Sequence, residues 1–255
     1  MTQILIFFVA SWYLSLFFQT FFLHRYSAHR AFTMGKRTEK VFFFLTWVFQ
    51  GPNYLSAYGY GVMHRMHHAF ADTENDPHSP KYDESIWKMM WKTKTIYSAI
   101  TNRTMKVDAR FTEAVPDWPA FDKMARSWAS RLAWGALYFA FYWQFATEWW
   151  LWLLLPLQWM FSPIHGAIIN WFAHKYGYRN FEVGDTSRNF LPLDFLMMGE
   201  SYHNNHHAHG NRANFGVKWH ELDPTYIVIK GLNAVGIIKL KKSKSVQLEQ
   251  MKKAA

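Results

Sequence analysis

Residues Met1–Leu23 read MTQILIFFVASWYLSLFFQTFFL and carry no charge until the chain reaches His24 and Arg25. A helix of that length, rising 1.5 Å per residue, covers the ~30 Å hydrocarbon core of a bilayer, so the stretch reads as a transmembrane helix over about residues 3–23. A cleaved leader would begin on a basic segment and end on a small-x-small site. Neither precedes His24, so the helix is expected to stay. A second apolar block, Leu132–Ala173, has Glu148 as its only charge in 42 positions. That is room for two more spans, at 132–146 and 149–171, joined by a tight turn near Thr147–Trp149. Pro156 and Pro163 are expected to kink the second of these.

Val41–Met63 is also uncharged, but its apolar run ends at Phe49, and Gln50-Gly51-Pro52-Asn53 follows. Nine apolar residues do not cross a bilayer, so residues 41–62 read as a re-entrant or interfacial helix. All 28 Lys and Arg lie outside the three spans, 16 between Arg25 and Arg131 and 12 between Lys175 and Lys253. The positive-inside rule then puts both segments on the cytoplasmic side and the N-terminus outside. The fold class is therefore all-α: a single-domain polytopic membrane protein of about three transmembrane helices. A cytoplasmic helical cap covers 72–130 and 175–240, and a Lys-rich tail spans 241–255.

Composition sharpens the reading. Phe 23, Trp 14 and Tyr 13 make 20% of the 255 residues, an excess that suits a lipid environment. The mean hydropathy of -0.19 averages such spans with a polar cap. The net charge of +10 belongs to one side of a membrane and so does not indicate a nucleic-acid partner. With no Cys, disulfides, thiolate metal sites and cysteine nucleophiles are excluded, and His, Asp and Glu remain for metal chemistry.

Nine of the 13 histidines sit in four motifs: His24-Arg-Tyr-Ser-Ala-His29, His64-Arg-Met-His67-His68, Asn170-Trp-Phe-Ala-His174 and His203-Asn-Asn-His206-His207. On an α-helix, positions i, i+3 and i+4 fall within an arc of about 100°, so each H-x-x-H-H is expected to converge on one point. Two such motifs could enclose two metals. Imidazole without thiolate suits Fe, Zn or Cu, and a His-rich site open to O2 favours iron. Every motif lies at the cytoplasmic end of a span or in the cap, provided that 41–62 does not cross. No hydrolase elbow, phosphate loop or nucleotide fold is present.

The extended forms HRYSAHR, HRMHHAFADTENDPH and GESYHNNHH, together with the Asn-x-x-x-His element that continues as HKYGYRN, resemble the membrane-bound fatty acid desaturases, most closely the acyl-CoA (stearoyl-type) delta-9 branch. The resemblance runs from His24 to about Leu240. It implies a non-haem diiron centre, two Fe ions held by His24, His29, His64, His67, His68, His174, His203, His206 and His207, with Asn170 holding an iron-bound water. It implies an O2-dependent oxidoreductase of lipid metabolism that places a cis double bond, delta-9, in a saturated acyl chain carried by CoA or lipid. The family usually shows four spans, against three clear ones here.

An unactivated methylene has no acidic proton and no leaving group, so side-chain acid–base chemistry cannot attack it and a metal-bound oxidant is required. The neighbouring reading is a membrane diiron hydroxylase acting on an alkane, sterol or carotenoid; a metal transporter is a third, but its ligands would sit near the bilayer midplane. Ligating imidazoles usually donate their second N–H to a carboxylate or carbonyl. Glu200, Asp76 and Asp185 are the leading candidates, with Asp72 and Asp194 behind them. Trp12, Tyr13 and Leu16 of the first span, with Trp171, are expected to wall the acyl pocket. His78, His209 and His220 read as structural. His165, buried in the third span, is a functional candidate, with a hydrogen-bonded core histidine as the other reading. No carrier domain is visible, so the electron donor is expected to be a separate protein, of cytochrome b5 or ferredoxin type with its reductase, drawn to the basic cap. The short termini suggest a bacterial inner membrane; in a eukaryote the Lys-Lys-Ala-Ala ending would suit the endoplasmic reticulum.

Overall fold

A computed structural model describes residues 1–241. From Lys242 onward the expected Lys-rich tail lies outside the described residues. The uncharged N-terminal run forms helix α1 (Thr2–Phe18), which has no Pro or Gly to break it and is apolar on every face. It continues as a π-helix, Gln19–Ala28. Together they make one 27-residue helix, Thr2–Ala28, the one helix among the described residues that is by itself long and apolar enough to cross a membrane.

Arg30, in the left-handed region at φ 52°, turns the chain. A two-residue strand β1 (Phe32–Thr33) follows and pairs antiparallel with β2 (Lys239–Leu240), tying the end of the described chain to this turn. Helix α2 (Lys36–Gln50) then runs back along α1, as the ring contacts show: Phe42 meets Phe21 at 4.8 Å, and Phe49 stacks on Phe18 at 5.1 Å. At Gly51–Asn53 the chain reverses. Gly51 has φ 53°, and a Cβ there would lie 2.8 Å from the Tyr138 hydroxyl, so the turn needs glycine twice over. Helix α3 (Ala57–Phe70), capped by the Ser56 hydroxyl, returns beside the π-helix. Gly61 permits that approach, since a Cβ would meet Ser27 Oγ at 2.5 Å. The stretch read as 41–62 is thus a helical hairpin that goes in and comes back to the end of α1 from which it left.

The cap over residues 72–130 carries α4 (Ile86–Thr101), α5 (Ala109–Thr112) and α6 (Pro119–Ala125). The expected second span corresponds to α7 (Trp128–Phe145). It has the length, but Arg131 and its Trp, Tyr and Gln residues keep it out of the set that qualifies by apolarity. The expected third span is broken. After a 3-10 turn at Trp149–Leu153 come α8 (Leu154–Gln158) and α9 (Phe161–Ala167), then a π turn at Ile168–Phe172. The two halves pass the same test together but meet at 67°, between the two prolines expected to bend them.

The outer faces of these helices are apolar. Ile6, Val9, Leu132, Leu137, Trp143, Trp149, Leu153 and Leu157 are all exposed, forming an apolar surface that a water-soluble monomer would not carry. The rest of the described chain, with α10 (His203–Ala208) and α11 (Pro224–Ala234), folds as irregular loops over the end where α1 and α3 meet.

Candidate metal centre

The first box owes its geometry to the π-helix. His24 and His29 are five residues apart, and an α-helix would point them about 140° away from each other. Wound with i→i+5 hydrogen bonds, such as His29 N to His24 O at 3.1 Å, the chain brings both to one side, with ring centroids 5.0 Å apart. Helix α3 supplies His64, His67 and His68, the residue just beyond the second π turn supplies His174, and α10 supplies His203, His206 and His207.

These nine rings form two groups, each able to hold a metal ion: His24, His29, His64, His68 and His206 in one, and His67, His174, His203 and His207 in the other. The H-x-x-H-H expectation needs correction here. Neither motif converges on one point, because i+3 and i+4 are about 100° apart around an α-helix and open to opposite sides of i. His64 and His68 go to the first group and His67 to the second, whereas His203 and His207 go to the second and His206 to the first. The two helices therefore cross-link both groups.

Carboxylates fix which nitrogen is bare in three of the rings. His24 Nδ1 donates to Glu200 Oε2 at 2.6 Å, His67 Nδ1 to Asp76 Oδ1 at 2.9 Å and His207 Nδ1 to Asp185 Oδ2 at 2.8 Å. His174 Nδ1 lies 3.2 Å from Thr186 Oγ1 and 3.7 Å from Asp72 Oδ2. The opposite Nε2 lone pairs then face one another: His24 to His206 at 3.0 Å, His29 to His64 at 2.8 Å, His68 to His206 at 2.8 Å, His67 to His207 at 3.3 Å and His174 to His203 at 3.0 Å. Lone pairs repel unless an electrophile lies between them. A cation about 2.1 Å from two nitrogens at right angles would space them about 3 Å apart, so the donor set and its spacing fit a metal.

Burial, and after it the neighbouring imidazoles, push His29, His64, His203, His206 and His207 well below the ordinary histidine range. Those five rings are therefore neutral, as ligands must be. Burial opposes the ionisation of Asp76 and Glu200, but the facing imidazoles outweigh it: Asp76 is held down at about 2 and Glu200 below the usual carboxylate range.

The scaffold behind the rings is polar and specific. The Asp194 carboxylate accepts from the backbone N–H of Met197, Gly199 and Ser201, closing the loop that carries Glu200, and so serves the backbone instead of a ring. The two asparagines between His203 and His206 pin α10: Asn204 Oδ1 accepts from Asn180 N and Phe181 N, and Asn205 Nδ2 donates to Phe215 O. Arg25, fully buried, donates to Asp223 Oδ2 at 2.8 Å and lies 4.0 Å over the Phe215 ring, which packs on His206 at 4.4 Å. Thr20 donates to Glu200 Oε1. Sequence reasoning missed Thr20, Arg25, Thr186, Phe215 and Asp223; Thr20 and Arg25 meet partners 180 and 198 positions away.

On one side of the rings lies a cavity of about 50 Å³. Leu16, Gln19, Tyr60, Met63, His165, Gly166, Ile169, Asn170 and Met197 line it beside His24, His64, His78, Glu200 and His203. Of the residues expected to wall a substrate pocket, Leu16 lines this cavity. Trp12 packs one layer away, edge-on to His165 at 4.3 Å, Tyr13 is exposed, and Trp171 lies under the Lys175 ammonium. Asn170 and His165 both face the cavity. His78 packs on His67 at 4.3 Å; His209 touches Phe181, and His220 neighbours Trp219. On the other side an open groove of about 530 Å³ exposes edges of His29 and His68 among Arg30, Arg65 and Arg110.

Residues 2–233 match the family described as fatty acid desaturase. The chain belongs to that family. It is 31% identical over 223 residues to the sn-1 stearoyl-lipid 9-desaturase of Synechocystis sp., which covers 85% of this chain and 64% of that one. It is 32% identical to the Delta-9 desaturase-like 2 protein of Arabidopsis thaliana, over 86% of this chain and 70% of that one. A hex-5-enoyl-[acyl-carrier protein] acetylenase of Moorena producens is 28% identical over 95% and 79%. The desaturase family makes the chain an oxidoreductase of fatty acid metabolism, and these relatives place it with the delta-9 branch.

Proposed function

We propose that the protein is a multi-pass membrane desaturase that uses O2 and two electrons at a diiron centre to introduce a cis double bond, delta-9, into a saturated acyl chain carried by lipid or CoA. The observation that carries this reading is the pair of histidine groups, with their Nε2 lone pairs turned inward and the apolar side chains of Leu16, Met63, Ile169 and Met197 beside them. The five-histidine group would hold one iron and the four-histidine group the other, and Asn170 would hold an iron-bound water. Two irons bound there would supply the oxidant needed to take hydrogen from two neighbouring unactivated carbons.

The chain's own residues do the rest. Asp76, Asp185 and Glu200 hold three ligand rings in one tautomer and orientation. The apolar wall keeps the chain against His24, His64 and His203 and excludes water. Electrons enter from the opposite side, through the groove where His29 and His68 are exposed. Arg65 spends its hydrogen bonds on the carbonyls of Ser27, Ala28, Phe111 and Glu113, with the Glu113 charge also near it, and Arg110 has Asp108 at 3.4 Å. The groove's arginines suit a small acidic carrier of cytochrome b5 or ferredoxin type.

In the membrane, Thr2–Ala28, α7 and the bent α8–α9 pair cross, and the α2–α3 hairpin re-enters, which leaves all four motifs on the cytoplasmic side of a bacterial inner membrane. Metal analysis of the purified protein tests the centre: two irons per chain are expected, lost together with desaturation when His206 and His207 both become Ala. Retained activity in that variant would refute the reading.

A further inference from the structure

Where α1 faces α9, polar side chains border the cavity beside the rings. Helix α1 presents Ser15, Leu16 and Gln19 to α9, which answers with Ser162, His165 and Gly166. Ser15 Oγ, Gln19 Oε1, Ser162 Oγ and both ring nitrogens of His165 are enclosed and find no hydrogen-bond partner among the described residues. Gln19 and His165 line the cavity itself.

One turn away the same face of α1 shows that the fold can pair such groups. Gln158 Nε2 donates to Ser11 Oγ at 2.7 Å, and the Tyr142 hydroxyl donates to Gln158 Oε1 at 2.9 Å. A buried polar group left unmatched is costly, more so in a membrane segment. Unmatched groups that border a cavity therefore point to something that enters it. The space is open: a Cβ added at Gly166 would meet only Asn170 Nδ2, at 4.0 Å.

The donor and acceptor inventory narrows the visitor. A neutral imidazole offers one N–H and one bare nitrogen, and Gln19 Oε1 accepts. A carbonyl or ether oxygen would take the imidazole N–H and leave Gln19 Oε1 empty. A carbon–carbon double bond would leave all of them empty. A hydroxyl both donates and accepts.

We propose that Gln19 and His165 form a hydroxyl-binding subsite within the acyl cavity, so that the preferred substrate is a hydroxylated acyl chain whose oxygen sits close to the carbons being dehydrogenated. This rests on the acyl-desaturase reading and deepens it. Because His24, His64 and His203 line the same small cavity, the hydrogen bond would fix the register of the chain against the metal groups. The same chemistry could be met by a trapped water, and the two sources are separable.

Cells that make the full-length protein and an electron donor are fed stearate or one of a set of monohydroxystearate positional isomers, and desaturated products are measured by mass spectrometry. For at least one isomer the wild type should convert the hydroxylated chain at least about tenfold better than stearate. His165→Phe and Gln19→Leu should each bring that ratio to about one, and His165→Gln, which keeps a donor and an acceptor, should retain part of it. Independently of turnover, that isomer should raise the melting temperature of the metal-free protein in detergent more than stearate does, and His165→Phe should abolish the difference. Equal conversion and equal stabilisation in the wild type would mean that only water occupies the subsite and would overturn the proposal, as would a preference that survives both apolar variants. If stearate and every isomer stay saturated, the desaturase reading fails as well, an outcome distinct from unselective desaturation.

Discussion

His67 and His68 are adjacent in the chain, yet their rings belong to different histidine groups, with His67 Nε2 3.3 Å from His207 and His68 Nε2 2.8 Å from His206. The pairs cross, because helices α3 and α10 each send one neighbour to either side. Ligand substitutions should therefore be selective. His67→Ala should weaken the four-histidine group and His68→Ala the five-histidine group. In each, iron content should fall toward one per chain while the second iron persists, as metal analysis with Mössbauer spectra would show. Loss of both irons from either variant would mean that the groups are not separate sites.

The carboxylates behind the rings offer a gentler perturbation. Asp185 Oδ2 receives the His207 N–H at 2.8 Å near the protein surface. Asp185→Asn should leave the fold intact but lower metal affinity about 10–100-fold, measured as iron retained against a chelator. Glu200→Gln should act similarly through His24, with a larger stability cost because Glu200 is buried with Thr20.

Arg25 and Asp223 are both fully enclosed and joined at 2.8 Å. Removing one charge strands the other. Arg25→Met should cost about 3–5 kcal/mol of stability, and Arg25→Met with Asp223→Leu should recover much of it, read from unfolding in detergent. The double variant would still disturb His206, through the Phe215 ring that the guanidinium covers.

The basic groove predicts an ionic signature. Arg110 is largely exposed and its charge faces the groove. Arg110→Glu should raise the KM for a reduced acidic carrier roughly tenfold and flatten its salt dependence, with turnover at saturating carrier little changed. Unchanged kinetics would move electron entry elsewhere.

Much of this site was legible because its chemistry is local. The box spacings named all nine clustered rings, and Asp76, Asp185 and Glu200 lie where the need for an imidazole N–H acceptor suggested. The division into two groups was not legible from an α-helical arc alone, because it depends on how α3 and α10 face each other. The π-helix left a trace in the His24–His29 spacing, but only a reading that allowed five-residue winding could use it. The Arg25–Asp223 pair spans 198 positions and has no local signature. Leu16 lines the cavity and Trp12 packs one layer away, although both lie on one face of α1, because the cavity closes within one helical turn. The prolines marked the break in the third apolar segment, whereas Arg131 and the tryptophans blurred α7.

The central claim is acyl desaturation at the paired histidine groups, and the most direct test is to express the chain in a host that lacks unsaturated acyl chains and analyse its lipids by mass spectrometry with the double bond located. The account predicts new mono-unsaturated acyl chains with a cis bond, absent when His206 and His207 are both alanine. Hydroxylated chains in place of unsaturated ones, or lipids that stay fully saturated beside an iron-loaded protein supplied with its donor, would contradict it.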